Sequence, residues 1–232
     1  FTLSNQGYIK RMSVDTYRTQ SRGGRGVSAQ NLKEEDYVKN IFVASTHDHV
    51  LFFTDLGRVH HRKGYQIPES SRTARGTAIV NVLPLEPGEQ VTAVVTTRQF
   101  QSDEYLMMVT RNGTIKRIPF IALKTNRKGG IRAITLDEGD HLINVIRTKG
   151  DDNILIATAQ GMAICFNEND ARPMGRDAVG VRGISLSAGD YVVGAEKAEE
   201  GKSLLTVTQN GYGKRTALSE YLRTAADGSK TA

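Results

Sequence analysis

Twenty residues into the chain, the string QSRGGRGVSAQ (Gln20–Gln30) sets Arg22 and Arg25 among Gly23, Gly24 and Gly26. Glycine has no Cβ, so its backbone N–H groups can come close to an anion, and arginine offers a permanently charged planar fork matched to phosphate oxygens. Arg18 and Gln20, just upstream, can add hydrogen bonds to the backbone of the same partner. The chemistry on offer is binding of a phosphate-bearing polyanion. Weaker echoes of the pattern follow: SSRTARGTAIV with Arg72 and Arg75, KTNRKGGIRAI with Lys124, Arg127, Lys128 and Arg132, and MGRDAVGVRGI with Arg176 and Arg182.

A second group of charges obeys a different rule. Lys10 and Arg11, then Arg58 with Arg62 and Lys63, then Lys116 and Arg117, then Lys214 and Arg215, each come shortly after a polar pair that ends in glycine. A single Lys-Arg pair is ordinary solubilising surface. Recurrence at one phase points instead to an electrostatic track along one rim of a repeat. Acids fall at another phase, in KEED, LEPGE, LDEGD and LSAGD, where Gly-Asp and Gly-Glu read as surface turns.

Other chemistries find little support. His47-Asp48-His49 and His60-His61 lack a fixed third and fourth ligand, so no metal site is expected, and His60 and His61 are read as additions to the basic rim. Cys165 is the one cysteine; its setting in GMAICF marks a buried structural thiol, and a reducing compartment follows from the missing disulfide partner. Tyr8, Tyr17, Tyr65, Tyr212 and Tyr221 are read as packing residues near the turns. No paired carboxylates, Ser-His-Asp set or P-loop stands at a workable spacing, so no catalytic site is expected in this chain.

The elements that must carry these charges repeat. TLSNQGYIKRMSVDTY, FFTDLGRVHHRKGYQIP, MVTRNGTIKRIPFIAL, IATAQGMAICFNENDA and TVTQNGYGKRTALSEY align on Gly7, Gly57, Gly113, Gly161 and Gly211, at intervals of 50, 56, 48 and 50 residues by subtraction. Each reads as a β-hairpin, and Asn112-Gly113 and Asn210-Gly211 suggest primed turns with positive φ at both central residues. A further strand precedes every hairpin but the first (NIFVAST, VTAVVTT, HLINVIRT, YVVGAEK) and is expected to close onto the hairpin it precedes.

Four short strands per repeat and almost no helical periodicity predict an all-β, propeller-like fold of antiparallel blades, a single domain spanning residues 1–232. Four full repeats and the hairpin of a fifth are present, so ring closure requires sharing of strands between the ends or residues beyond Ala232. Trp is absent and aromatics make up 6% of the chain, so the core must come from Val, Ile, Leu and Ala. With 31 Lys and Arg against 25 Asp and Glu the net charge is +6, which permits a polyanionic partner. Apolar runs are too short for a membrane-spanning helix, and a cytoplasmic location is expected.

Gln20 to Gly26 resembles the seven-residue signature box of the gyrase A C-terminal domain family, and GYIKR, STHDHVLFFTDLGRV, KGYQIPE and GYGKRT resemble its Gram-positive members. Gln20, Arg22, Gly23, Gly24, Arg25 and Gly26 match the box; Ser21 stands where the family commonly has a basic residue. The tail SEYLRTAADGSKTA also departs from the pattern.

The resemblance implies a β-pinwheel of five to six four-stranded blades that exchange strands, binding and bending duplex DNA around a basic perimeter so that DNA gyrase can introduce negative supercoils. It further implies partnership with the rest of the gyrase A protein and with gyrase B in an A2B2 bacterial holoenzyme, near the nucleoid and away from membranes. ATP and magnesium would be bound elsewhere in that assembly, with no cofactor in this domain. Two alternatives stand beside it: the related topoisomerase IV domain, which usually lacks an intact box, and a propeller-like scaffold whose basic face meets an acidic protein or a membrane surface.

Overall fold

A computed structural model of the chain describes residues 1–16, 35–221, 223–224 and 230–231. The chain is built from β-strands and single-turn 3-10 segments, and no helix among the described residues is long and apolar enough to cross a membrane. The glycine-arginine box, with Arg18, Gln20, Arg22, Gly23, Gly24, Arg25 and Gly26, lies outside the described residues, as does Tyr17.

The first repeat supplies β1 (Thr2–Ser4), β2 (Tyr8–Lys10) and β3 (Val38–Ile41). The second supplies β4 (His49–Thr54), β5 (Arg58–Lys63), β6 (Thr77–Ala78) and β7 (Val91–Thr97), and the third β8 (Tyr105–Thr110), β9 (Thr114–Pro119), β10 (Ile131–Arg132) and β11 (Leu142–Thr148). The fourth runs through β12 (Asn153–Thr158), β13 (Ala163–Asn167), β14 (Val181–Arg182) and β15 (Val192–Lys197), and the fifth begins with β16 (Ser203–Val207) and β17 (Gly213–Ala217).

Pairing corrects one expectation and bears out another, the exchange of strands between neighbouring blades. The strand between hairpins closes onto the hairpin before it: β3 pairs with β1, β7 with β4, β11 with β8 and β15 with β12. Linker length does not decide this, since only residues 98–104 separate β7 from the hairpin that follows it. The reason is edge coverage, because β4, buried from Val50 to Thr54, pairs with β5 on one side and needs β7 for the backbone groups of its other edge. The intervening glycine segment goes one hairpin further back. The sheets have the orders β3-β1-β2-β6, β10-β5-β4-β7, β11-β8-β9-β14 and β13-β12-β15. Thus β6, which follows the second hairpin, completes the sheet of the first, and β10 and β14 repeat the exchange one repeat later each time.

The turns also differ from the primed type. Gly7, Gly57, Gly113, Gly161 and Gly211 all have positive φ, but Asn112 and Asn210 do not. Gly113 N–H donates to Thr110 O at 3.1 Å and Thr114 N–H to Thr110 Oγ1 at 3.1 Å. This is a three-residue loop, a type I turn closed by a left-handed glycine. The same hydroxyl device recurs at Ser4, Thr54, Thr158 and Thr208.

By packing, the chain divides into two compact units, one of residues 1–99 with 125–131, the other of residues 100–124 with 132–232. In the first unit Leu3, Ile9, Val50, Phe52, Ile67, Ile79, Leu83 and Val91 form the core between the first two sheets. In the second, Met107, Val109, Ile115, Ile146, Ile154, Ile156, Phe166 and Val192 do the same for the third and fourth. Cys165 is buried with Leu155 and Leu218, as its apolar setting suggests, and burial raises the pKa of its thiol. Tyr65 and Tyr212 are exposed and do not pack in a core.

Candidate nucleic-acid interface

In the first three repeats the third residue after the turn glycine lies on the second hairpin strand, beneath the segment exchanged from the next repeat. In the first repeat this residue is Lys10. Its side chain is fully buried, and Nζ donates to Ser71 O (3.1 Å), Arg72 O (2.5 Å) and Ala74 O (2.8 Å). In the third repeat it is Lys116, equally buried, donating to Ala133 O (2.8 Å), Arg176 O (2.6 Å) and Ala178 O (3.0 Å). An ammonium has three N–H donors, and here each has a carbonyl, which is the condition for keeping a charge inside a fold.

Burial lowers the pKa of both amines. For Lys10 the charge of Arg72 adds to the effect, and for Lys116, brought down to about 8, Asp177 partly opposes it.

The loops so held approach the hairpin strand closely. Gly76 has φ +94°, and a Cβ there would lie 2.6 Å from Ile9 O. Gly180 repeats this against Ile115. These glycines therefore serve contact between chain segments in addition to any approach to an anion.

The second repeat solves the same problem differently. His60 occupies the corresponding position, fully buried, with neither ring nitrogen hydrogen-bonded among the described residues. Desolvation, then the charge of Arg58, brings its pKa down to about 4, with Glu89 opposing and Arg62 assisting. A neutral ring demands less than an ammonium. The loop above it, residues 125–131, is gripped from the sides: Arg58 donates to Gly129 O at 2.9 Å while paired with Glu89 at 3.0 Å. His61 Nδ1 lies 3.0 Å from Thr125 O, His61 Nε2 2.6 Å from His49 Nδ1, and His49 Nε2 2.9 Å from Lys63 Nζ. Lys63 can only donate, which assigns the tautomers: His49 carries its proton on Nδ1 and His61 on Nδ1, giving one directed chain from ammonium to carbonyl.

Apart from Asp177, the charges these loops show to solvent are cationic. Arg75 is exposed, with its guanidinium 5.4 Å from the Tyr8 ring centroid, and Arg127, Lys128, Arg132, Arg176 and Arg182 are exposed as well. Arg72 is half-buried. By subtraction, Arg72, Arg75 and Gly76 stand fifty residues after Arg22, Arg25 and Gly26, so this loop is the described counterpart of the box.

The family model described as "DNA gyrase C-terminal domain, beta-propeller" matches residues 1–45, 48–98, 104–149, 152–199 and 202–230. The chain belongs to the DNA gyrase C-terminal domain family. The gyrase A protein of Staphylococcus epidermidis is 47% identical over 223 residues, which cover 95% of this chain and 25% of that protein. The chain thus spans about a quarter of the length of such curated relatives. Among solved structures, a C-terminal domain of DNA topoisomerase IV superposes with a TM-score of 0.79 at 27% identity, covering 97% of this chain and 68% of that one. A DNA gyrase A C-terminal domain gives 0.74 at 25%, covering 99% and 79%.

Within this gyrase-type domain the hairpin cations largely turn inward, which corrects the expectation that they all line a rim. Lys10 and Lys116 are clamps. Arg117 is buried with Nε 3.0 Å from Glu168 Oε2, off the line of a straight hydrogen bond; Nη1 donates to Asn169 Oδ1 at 2.9 Å, and the guanidinium stacks 4.1 Å over Tyr105. None of these three can reach a ligand outside the fold.

Arg11 pairs with Glu69 at 2.9 Å and donates to Ile67 O, Arg62 donates to Val82 O and His61 O, and Lys63 donates to His47 O. Arg58, as described, supports the loop above it. Lys124, Lys214 and Arg215 are exposed. In the fourth repeat Ile164 takes the clamp position.

Sequence reasoning missed the acids. The last residue of each acidic string returns to cap a hairpin turn: Asp36 accepts from Gln6 N–H (2.9 Å), Asp140 from Asn112 N–H (2.9 Å) and Asp190 from Gln160 N–H (3.0 Å), while Glu89 accepts from Thr54 Oγ1 (2.6 Å). Their similar spacing from the turn glycine, in chain order 29, 32, 27 and 29 residues by subtraction, was the available signal.

Proposed function

We propose that this chain is the duplex-wrapping part of a bacterial DNA gyrase, one domain over its length, binding phosphates along its exchanged loops and bending the duplex so that the assembly can introduce negative supercoils. The observation that carries the reading is the recurrence of solvent-facing cations on three successive exchanged segments in a member of the gyrase family. These are Arg75 beside the half-buried Arg72, then Arg127 and Lys128, then Arg176 and Arg182. Arg18, Gln20, Arg22 and Arg25, with their glycines, are assigned the same task by sequence.

Contacts to phosphate oxygens carry little sequence information, so preference among duplexes is expected to be weak. Bending 20–30 base pairs by 40–90° costs about 1–6 kcal/mol, which several such contacts offset. Strand cleavage, ATP and magnesium belong in this reading to gyrase B and to the rest of the gyrase A protein. The intact box favours gyrase over the topoisomerase IV relative.

The test is binding to linear and circular duplex across a salt series, followed by topoisomer analysis after a nicking-closing enzyme relaxes the bound circles. A steep salt slope with a directional change in linking number supports wrapping by this chain. Arg22→Ala with Arg25→Ala is expected to reduce that change more than binding. Absence of DNA binding at low salt would sink the reading.

A further inference from the structure

We propose that Lys116, and Lys10 in the first sheet, are positioning residues for phosphate contact: from inside the fold they set the backbone of the arginines that meet DNA. This rests on the reading that the exchanged loops touch the duplex. The clamp is aimed at those residues themselves, because Lys116 Nζ bonds the carbonyl of Arg176 and Lys10 Nζ that of Arg72.

The loop of residues 175–178 has every carbonyl drawn inward. Gly175 O accepts from Ala178 N–H (3.3 Å), Arg176 O from Lys116, Asp177 O from Thr135 Oγ1 (2.9 Å), and Ala178 O from Lys116 and from Thr135 N–H (3.3 Å). Loop 71–74 repeats the pattern, with Ser71 O, Arg72 O and Ala74 O all on Lys10. Two consequences follow. The carbonyl oxygens held by the lysines are kept off the outer face of each loop, where the exposed Asp177 carboxylate still stands beside Arg176, and the loop is ordered before DNA arrives, so its ordering entropy does not oppose binding. A lysine on the surface would add one phosphate contact; one inside the fold governs the contacts of others.

The salt slope separates this from a merely structural role, since a slope counts phosphates neutralised and does not report stability. In the full chain, on a linear duplex of about 150 base pairs, Arg176→Ala is expected to lower the slope by about one. Lys116→Met is expected to lower it by at least as much, although Lys116 has no exposed surface. The double variant is expected to lose no more than Lys116→Met alone. Ile156→Val, a core change, lowers stability at unchanged slope.

A wild-type slope in Lys116→Met, or losses that add in the double variant, would overturn the positioning role. An unchanged slope in Arg176→Ala would instead overturn phosphate contact by this loop, and the positioning role with it, so the two failures are distinguishable. Should Lys116→Met not fold, Thr135→Val carries the same test: it frees Asp177 O alone, and a smaller slope loss that vanishes on an Arg176→Ala background is expected, whereas additivity overturns the proposal.

Discussion

The first and second hairpins hold equivalent loops with opposite chemistry. Lys10 meets three carbonyls with a charge; His60, at the same place one repeat later, is neutral and bonds nothing among the described residues, while Arg58 and His61 hold the loop from its flanks. The third hairpin returns to lysine. One geometric task, fixing an exchanged segment over a hairpin strand, is met either by a central ammonium or by peripheral bonds around an uncharged ring. The lysine solution is directional and costly to break, because its loss removes the one donor group shared by three carbonyls. The histidine solution tolerates exchange at the centre and concentrates its dependence on protonation.

The largest expected effect lies in what both solutions share, close approach of the loop. Gly76→Ala should destabilise the first unit by about 3 kcal/mol in urea titration, since it adds a backbone clash to the strain of positive φ. Gly88→Ala, with the same sign of φ and open space around it, should cost about 1 kcal/mol. Equal costs would mean that the approach is loose.

Next comes the centre of the clamp. Lys116→Met is expected to cost about 2 kcal/mol through unsatisfied carbonyls, and His60→Leu less than about 0.5 kcal/mol, because the ring nitrogens bond nothing that would be left behind. A large loss in His60→Leu would erase the contrast.

pH sharpens it further. The folded pKa of His60 is depressed from 6.5 to about 4, so the unfolded chain takes up the extra proton and stability falls as pH drops from 6.5 through 4; His60→Leu should remove that part of the acid response. Lys116 is depressed from 10.5 to about 8, so its contribution rises as pH climbs from 8 to 10.5 and is lost in the opposite direction. Urea midpoints measured across both windows check the two signs.

The smallest effect on stability belongs to the exposed charges. Arg127→Ala and Lys128→Ala should each change unfolding by less than about 0.5 kcal/mol while lowering the DNA salt slope by about one. A large stability loss there would assign them to the fold.

Much of the architecture was legible. The five glycines at a near-regular interval marked the hairpins, and all five carry the positive φ the reading required. The partner of each intervening strand was not legible, because alternation and β-propensity say that VTAVVTT is a strand and nothing about which neighbour it joins. The turn type was misread at Asn112, where a threonine hydroxyl and an Asp140 carboxylate make a type I turn sufficient. Among the cations, sequence phase identified two groups correctly but gave them one role.

By itself, then, the chain determined repeat, element type, thiol burial and the family, since these follow from local preference and from patterns that neighbouring residues share. Only the tertiary structure decided which charges face inward. Lys116 and Arg176 are both basic residues beside turns, and the difference between buried clamp and exposed cation comes from the segment that returns sixty positions later, by subtraction, to lie over one and carry the other outward. That pairing is non-local, and no spacing rule within a single repeat encodes it.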